Sequence, residues 1–118
     1  MSTPFKVKLT IYQGSTFRWH ATFKNGAPAV ATDLTGYKAR MQMRSEIDAS
    51  AFLMELTTEN GGITLGGALG TIDLFISDTA TALITWTEAV YDIELIAPNT
   101  DVTRKIYGAV SVSLEVTR

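Results

Sequence analysis

Cysteine is absent from this 118-residue chain, which excludes a disulfide scaffold, thiolate zinc ligation and thiol chemistry. Histidine occurs once, at position 20, too sparse for a histidine metal cluster or a ready-made catalytic dyad. No apolar run approaches the roughly 18 residues of a membrane span. Met1-Ser2-Thr3-Pro4-Phe5-Lys6 has no signal-peptide hydrophobic region, so the expectation is a soluble, intracellularly made domain with no membrane partner. Between residues 45 and 101 there is no lysine or arginine at all. The length suits one domain, 1–118, able to bury about two-thirds of its unfolded surface without staples.

The charge that is present is unevenly placed. Residues 1–44 carry seven basic side chains against Asp33 alone, +6; residues 45–101 carry ten acids, −10; residues 102–118 return +2, giving the overall −2. No five like charges run together. Two readings follow. Basic and acidic strands can pair across one sheet, or a dipolar protomer can dock head to tail with its neighbours. Nucleic-acid binding by Lys38, Arg40, Arg44, Arg18 and His20 is set aside. Trp19 falls on the inward phase, where it cannot stack a base, and the isoelectric point is 5.3.

Apolar residues recur every second position nearly throughout, the period of half-buried strands. Phe5, Val7, Leu9 and Ile11 lead, followed by Phe17, Trp19, Ala21 and Phe23. Asn25-Gly26 signals a tight turn. Ala39, Met41 and Met43 then oppose Lys38, Arg40, Gln42 and Arg44. A loop at 45–50 precedes a strand of unfixed register, either Phe52, Met54 and Leu56 or Leu53 with Ala51 and Glu55. Ile63–Leu65, a glycine-rich turn, and Ile72, Leu74 and Ile76 come next. Asp78, an N-cap residue type, opens a helical crossover over 78–84. Tyr91, Ile93 and Leu95 form the penultimate strand. A long last strand points Ile106, Gly108, Val110, Val112, Leu114 and Val116 inward. Seven or eight short antiparallel strands with a turn every 8–12 residues read as an all-β sandwich, with a barrel as the alternative. If the first or last strand lies at a sheet edge it offers open backbone groups to another chain, unless Lys6 and Lys8 block such pairing.

Catalytic motifs are missing. Ser111 and Ser113 lie in a regular strand rather than on a nucleophile elbow. Gly66–Gly70 lacks the Lys-Ser/Thr of a P-loop, and no loop matches a calcium site. Asp92 and Glu94 are spaced about 6.5–7 Å apart by strand rise, but two carboxylates on one strand face do not flank a cleft. The expectation is a non-enzyme with no catalytic residues, cofactor or metal. Its candidate subunit contacts are Lys38, Arg40 and Arg44 as a basic face and Asp92 and Glu94 as an acidic one.

The order of landmarks adds to this. Gly14-Ser15-Thr16-Phe17-Arg18, Asn25-Gly26-Ala27-Pro28 and the block from Asp33-Leu34-Thr35-Gly36-Tyr37 to Arg44 come first. Gly62-Ile63-Thr64-Leu65, Gly70-Thr71-Ile72-Asp73-Leu74, Thr79-Ala80-Thr81-Ala82-Leu83 and Ala89-Val90-Tyr91-Asp92-Ile93-Glu94-Leu95 follow, and the chain closes on Gly108-Ala109-Val110-Ser111-Val112 and Val116-Thr117-Arg118. Over nearly its whole length this resembles small immunoglobulin-like virion proteins of tailed bacteriophages, including the N-terminal attachment domains of baseplate upper proteins. The resemblance implies an immunoglobulin-like fold and a structural role at tail, neck or baseplate. It also implies assembly in the host cytoplasm into the virion, in several copies forming a ring or array with other virion proteins. Lacking the long C-terminal extension of a receptor binder, the chain is expected to be a small adaptor, ring or attachment subunit. The alternatives are a capsid decoration protein or a carbohydrate-binding module, the latter if Tyr12, Phe75 or Tyr107 share a face.

Overall fold

The computed structural model describes residues 4–117. The chain is mostly β, in eleven strand segments: β1 (Phe5–Lys6), β2 (Leu9–Tyr12), β3 (Phe17–Thr22), β4 (Lys24–Asn25), β5 (Val30–Ala31), β6 (Lys38–Arg44), β7 (Met54–Thr57), β8 (Ile63–Leu65), β9 (Thr71–Ile76), β10 (Glu88–Ile96) and β11 (Val102–Ser113). A helix, α1 (Asp78–Ala82), joins β9 to β10. The larger sheet has the order β1–β11–β10–β6–β7, with β2 also on β11, and the smaller has the order β3–β9–β8. Strands β4 and β5 make a hairpin of their own.

Inward residues of the two larger sheets meet in one core. Met41, Met43, Tyr91, Ile93 and Val110 come from one side and Phe17, Ile72, Leu74 and Ile76 from the other. The alternation places them there, since neighbouring side chains on a strand point to opposite faces. Strand β6 keeps Ala39, Met41 and Met43 buried, as its pattern requires. Met54 and Leu56 set the phase of β7, and Phe52 and Leu53 stay exposed.

Three expectations need correction. The first concerns direction: β1 and β2 run parallel to β11, Phe5 opposite Ile106 and Leu9 opposite Val110, so the sheets are not wholly antiparallel. It follows that β11 lies inside its sheet and only the first strand is at an edge. The second is the helix cap. Ser77, one residue before Asp78, accepts the Ala80 N–H through its side chain. The third is the last strand, which stops at Ser113, leaving Leu114 53% and Val116 92% exposed. Both neighbours have run out at that point, because Glu88 opens β10 opposite Ser111 and Tyr12 ends β2 opposite Ser113. Beyond them no strand continues alongside among the described residues.

Strand β2 ends because the chain turns sharply. Gly14 takes φ +83°, and the Ser15 N–H returns to the Tyr12 carbonyl at 3.0 Å. On the far side of this turn β3 begins, at the same end of the molecule from which residues 114–117 leave β11.

Candidate interaction surface

The outward face of the larger sheet gathers most of the charged side chains singled out above. Its residues fall in cross-strand rows. One row runs Arg40, Glu94, Arg104 across β6, β10 and β11. The next runs Glu55, Gln42, Asp92, Tyr107, Lys6 from β7 to β1. Arg44 lies opposite Val90 in a third row, on the loop side. Together they line an open concavity of about 650 Å³, with Ile47 at its rim.

This register merges the basic face and the acidic one into a single face, in line with the reading in which basic and acidic strands lie side by side in one sheet. Lys38, Arg40 and Arg44 lie beside Asp92 and Glu94 on one face because β6 and β10 are direct antiparallel neighbours. Arg40 Nε donates to Glu94 Oε1 at 2.8 Å. Arg44 donates to Gln42 Oε1 at 2.7 Å and to the Ala49 carbonyl at 2.8 Å, and Gln42 Nε2 donates to Glu55 at 2.7 Å. Lys38 reaches Glu59 at 3.9 Å with both side chains mostly in water. Of the charges split along the sequence, Arg40 and Glu94 form an ion pair across neighbouring strands of this sheet.

Asp92 sits at the centre and is the exception. Among the described residues its carboxylate has no hydrogen-bond or ion-pair partner. Burial, then repulsion from Glu94, pushes its pKa above the usual carboxylate value, against opposing pulls from Arg104, Arg44 and Arg40. The native state therefore holds this proton to higher pH than the unfolded chain does. Stability is lost as pH rises from the unfolded value through the raised one, and the ionised group weighs against the fold at neutral pH. Asp92→Asn is expected to raise the melting temperature at pH 7, with its lead shrinking as pH falls from the raised value toward about 4 and gone below that, where free aspartate is protonated too. Thermal melts at the two pH values check this.

The Arg40–Glu94 pair is half in water, with side chains 51% and 31% exposed, so solvent screens it. Arg40→Ala is expected to cost under about 1 kcal/mol, a shift of a few degrees in melting temperature. A larger loss on thermal denaturation would show that the arginine is needed to hold β6 to β10.

Arg104, Lys6 and Tyr107 also belong to this surface, a grouping the sequence did not show. Arg104 was hidden by a bulge: the register between β10 and β11 shifts after Ile93, which leaves Lys105 as the extra residue and turns Arg104 outward. Its guanidinium stacks on Tyr107 at 4.9 Å. Lys6 was legible as outward-facing, but only the parallel pairing with β11 brings it beside Tyr107.

The opposite face, on the smaller sheet, is simpler. His20 Nδ1 lies 2.7 Å from Asp73 Oδ1, both exposed, and Arg18 stacks over Phe75 at 4.8 Å. No serine or threonine is aligned with the histidine as a nucleophile by any hydrogen bond among the described residues. Nor do those residues hold a group of three or more potential metal ligands. Phe75 and Tyr107 therefore lie on opposite faces. Tyr12 shares the face of Tyr107 but pairs with Ser113, six residues further along β11, about 20 Å away.

No protein-family model matches this chain, and no curated protein matches it. The chemistry of the surface has to be read from its own residues. Charged side chains of both signs on a broad concave sheet can recognise a complementary protein surface.

Proposed function

We propose that this protein is a non-enzymatic structural subunit of a tailed-bacteriophage virion, working at the tail, neck or baseplate through contacts with other virion proteins and with further copies of itself. We also read its two facing sheets as an immunoglobulin-like sandwich. In support, the first strand lies parallel to the last on the larger sheet, β10 and β6 form that sheet's centre, and a short helix crosses from β9 to β10. The observation that carries the functional reading is the placement of the two most distinctive sequence blocks. The block from Asp33 to Arg44 and the Tyr91-Asp92-Ile93-Glu94-Leu95 segment become adjacent strands, and together they supply the charged concave face. A resemblance scattered over unrelated loops would carry far less weight.

A carbohydrate-binding module is disfavoured by the separation of the exposed aromatic rings. Stacking platforms for sugars need those rings on one face, and here Phe75 and Tyr107 point away from each other. A capsid decoration protein would use the same face on a different partner.

Mass spectrometry of tailed particles purified from the culture whose genome encodes the chain tests the proposal. Peptides of this protein are expected in the particles in a fixed ratio to the tail proteins. Their absence from intact particles, with the protein free in the lysate, would overturn it. A fixed ratio to the capsid in tailless particles would instead favour decoration.

A further inference from the structure

The last-strand pattern and its exposure disagree, and the disagreement is informative. Leu114 and Val116 continue the inward phase of β11, yet in the single chain they face water. Glu115 touches the domain at Gln13 and Gly14, but no strand runs beside the segment among the described residues, so its half-buried alternation is that of a strand without its sheet.

The smaller sheet has the complementary defect. Its β3 edge runs unbroken for six residues, whereas the other lateral edges are protected in ways that discourage pairing. Strands β7 and β8 have only four and three residues, and β1 and β2 are interrupted and flanked by Lys6 and Lys8. Among the described residues no backbone hydrogen bond leaves β3 on the side away from β9. The inward side chains Trp19 and Ala21 remain half-buried, while Ile72, Leu74 and Ile76 of the neighbouring β9 are at most 4% exposed. One more strand beside β3 would cover them.

We infer that residues 114–117 of one copy add as a strand to the β3 edge of a second copy, in a reciprocal exchange that makes a two-fold dimer. Leu114 and Val116 then join the inward row with Trp19 and Ala21, and Glu115 joins the outward row beside the positive charge of Arg18. Main-chain pairing supplies the attachment and the alternating side chains supply the register. Donor and acceptor sit on the same lateral side, because β2 pairs with the end of β11 and passes through the short turn at 13–16 directly into β3. An exchange between like edges closes on itself as an isologous pair. Among the described residues, freeing the tail opens the bond from the Glu115 N–H to Gln13 Oε1 and lifts the Glu115 side chain off Gly14.

The inference does not depend on the virion assignment and is tested on the chain alone. The natural sequence has no cysteine, so introduced thiols report only on each other. The variant carrying both Ala21→Cys and Val116→Cys, oxidised with glutathione disulfide, is expected to become a covalent dimer at least tenfold faster than either single variant. Closure of both thiols within one chain would overturn the exchange. So would a dimer rate no higher than when Thr64→Cys on the β8 edge replaces Ala21→Cys. Light scattering of the unmodified chain gives a second readout that needs no cysteine. A mass twice 12.8 kDa at high micromolar concentration, falling to the monomer in Val116→Asp, is expected; a monomer in both overturns the inference.

Discussion

Gly108→Ala is expected to destabilise the fold by about 3 kcal/mol and lower its melting temperature by roughly 10 °C, although it adds only one methyl group. The reason is the seating of the N-terminal strand. Val7 crosses directly over Gly108, so a Cβ there would lie 2.2 Å from the Val7 carbonyl oxygen and 3.0 Å from its carbonyl carbon. Backbone cannot swing aside as a side-chain tip can. The segment between β1 and β2 is held at this point on both sides. The Val7 N–H donates to the Tyr107 carbonyl at 2.9 Å, and the Tyr91 hydroxyl donates to the Val7 carbonyl at 2.6 Å. Tyr91 stands directly opposite Gly108 on β10 and reaches past it. That buried hydroxyl keeps its proton, since burial raises its pKa. An alanine would therefore displace Val7, break both hydrogen bonds and leave the phenol without an acceptor, a combination costlier than any one loss. Chemical denaturation should show the loss, and amide exchange should locate it at Val7 first. A melting temperature within 2–3 °C of the parent, where an unstrained surface change would leave it, would mean the N-terminal strand is not seated over Gly108 in solution.

How much of this was legible beforehand depended on what alternation can and cannot report. Periodicity reports which side of a strand is wet. It therefore identified Ala39, Met41, Met43, Ile72, Leu74, Ile76, Tyr91, Ile93 and Leu95 as core residues, and all are buried. It is silent about partners. Nothing in Phe5–Ile11 says that the strand runs parallel to residues a hundred positions later, because inward and outward sets look the same in either direction. A bulge breaks the inference locally: one extra residue at Lys105 placed Arg104 on the charged face, outside the phase counted back from Ile106. At Leu114 and Val116 the pattern held and the neighbours did not, which no single-chain reading can anticipate. The candidate surface divides in the same way. Each of Lys38, Arg40, Arg44, Asp92 and Glu94 was read as outward, but whether they formed two faces or one depended on the β6–β10 register, set by long-range packing.

Thr81→Val should cost about 2 kcal/mol, the largest effect expected from a change that preserves side-chain shape. Thr81 is completely buried, an unusual position for a polar side chain in this core. Its hydroxyl accepts the Gly14 N–H at 3.1 Å and donates to the Ser15 carbonyl at 2.8 Å, with the Asp78 carbonyl 3.1 Å away. One hydroxyl thus ties α1 to the turn between β2 and β3, 66 residues apart in sequence. Valine fills the same space, so no cavity opens. What it removes is the partner of a backbone donor and a backbone acceptor shielded from water, and leaving such groups unpaired costs more than the bonds themselves contribute. Thr81→Ser keeps the hydroxyl and should recover more than half the loss, which separates hydrogen bonding from packing. The neighbouring Gln13 gives the change a second consequence. Gln13 donates to the Ile84 carbonyl at 2.8 Å and accepts the Glu115 N–H at 2.8 Å, so the turn that Thr81 anchors also sets where residues 114–117 leave the domain. If that tail pairs with the β3 edge of a second copy, Thr81→Val should weaken the dimer as well as the fold, while Asp92→Asn, on the far rows of the larger sheet, leaves dimerisation unchanged. Urea melts paired with light scattering distinguish the cases. A stable Thr81→Val chain with unaltered Gly14 amide protection would show that water reaches this turn and satisfies it without the hydroxyl.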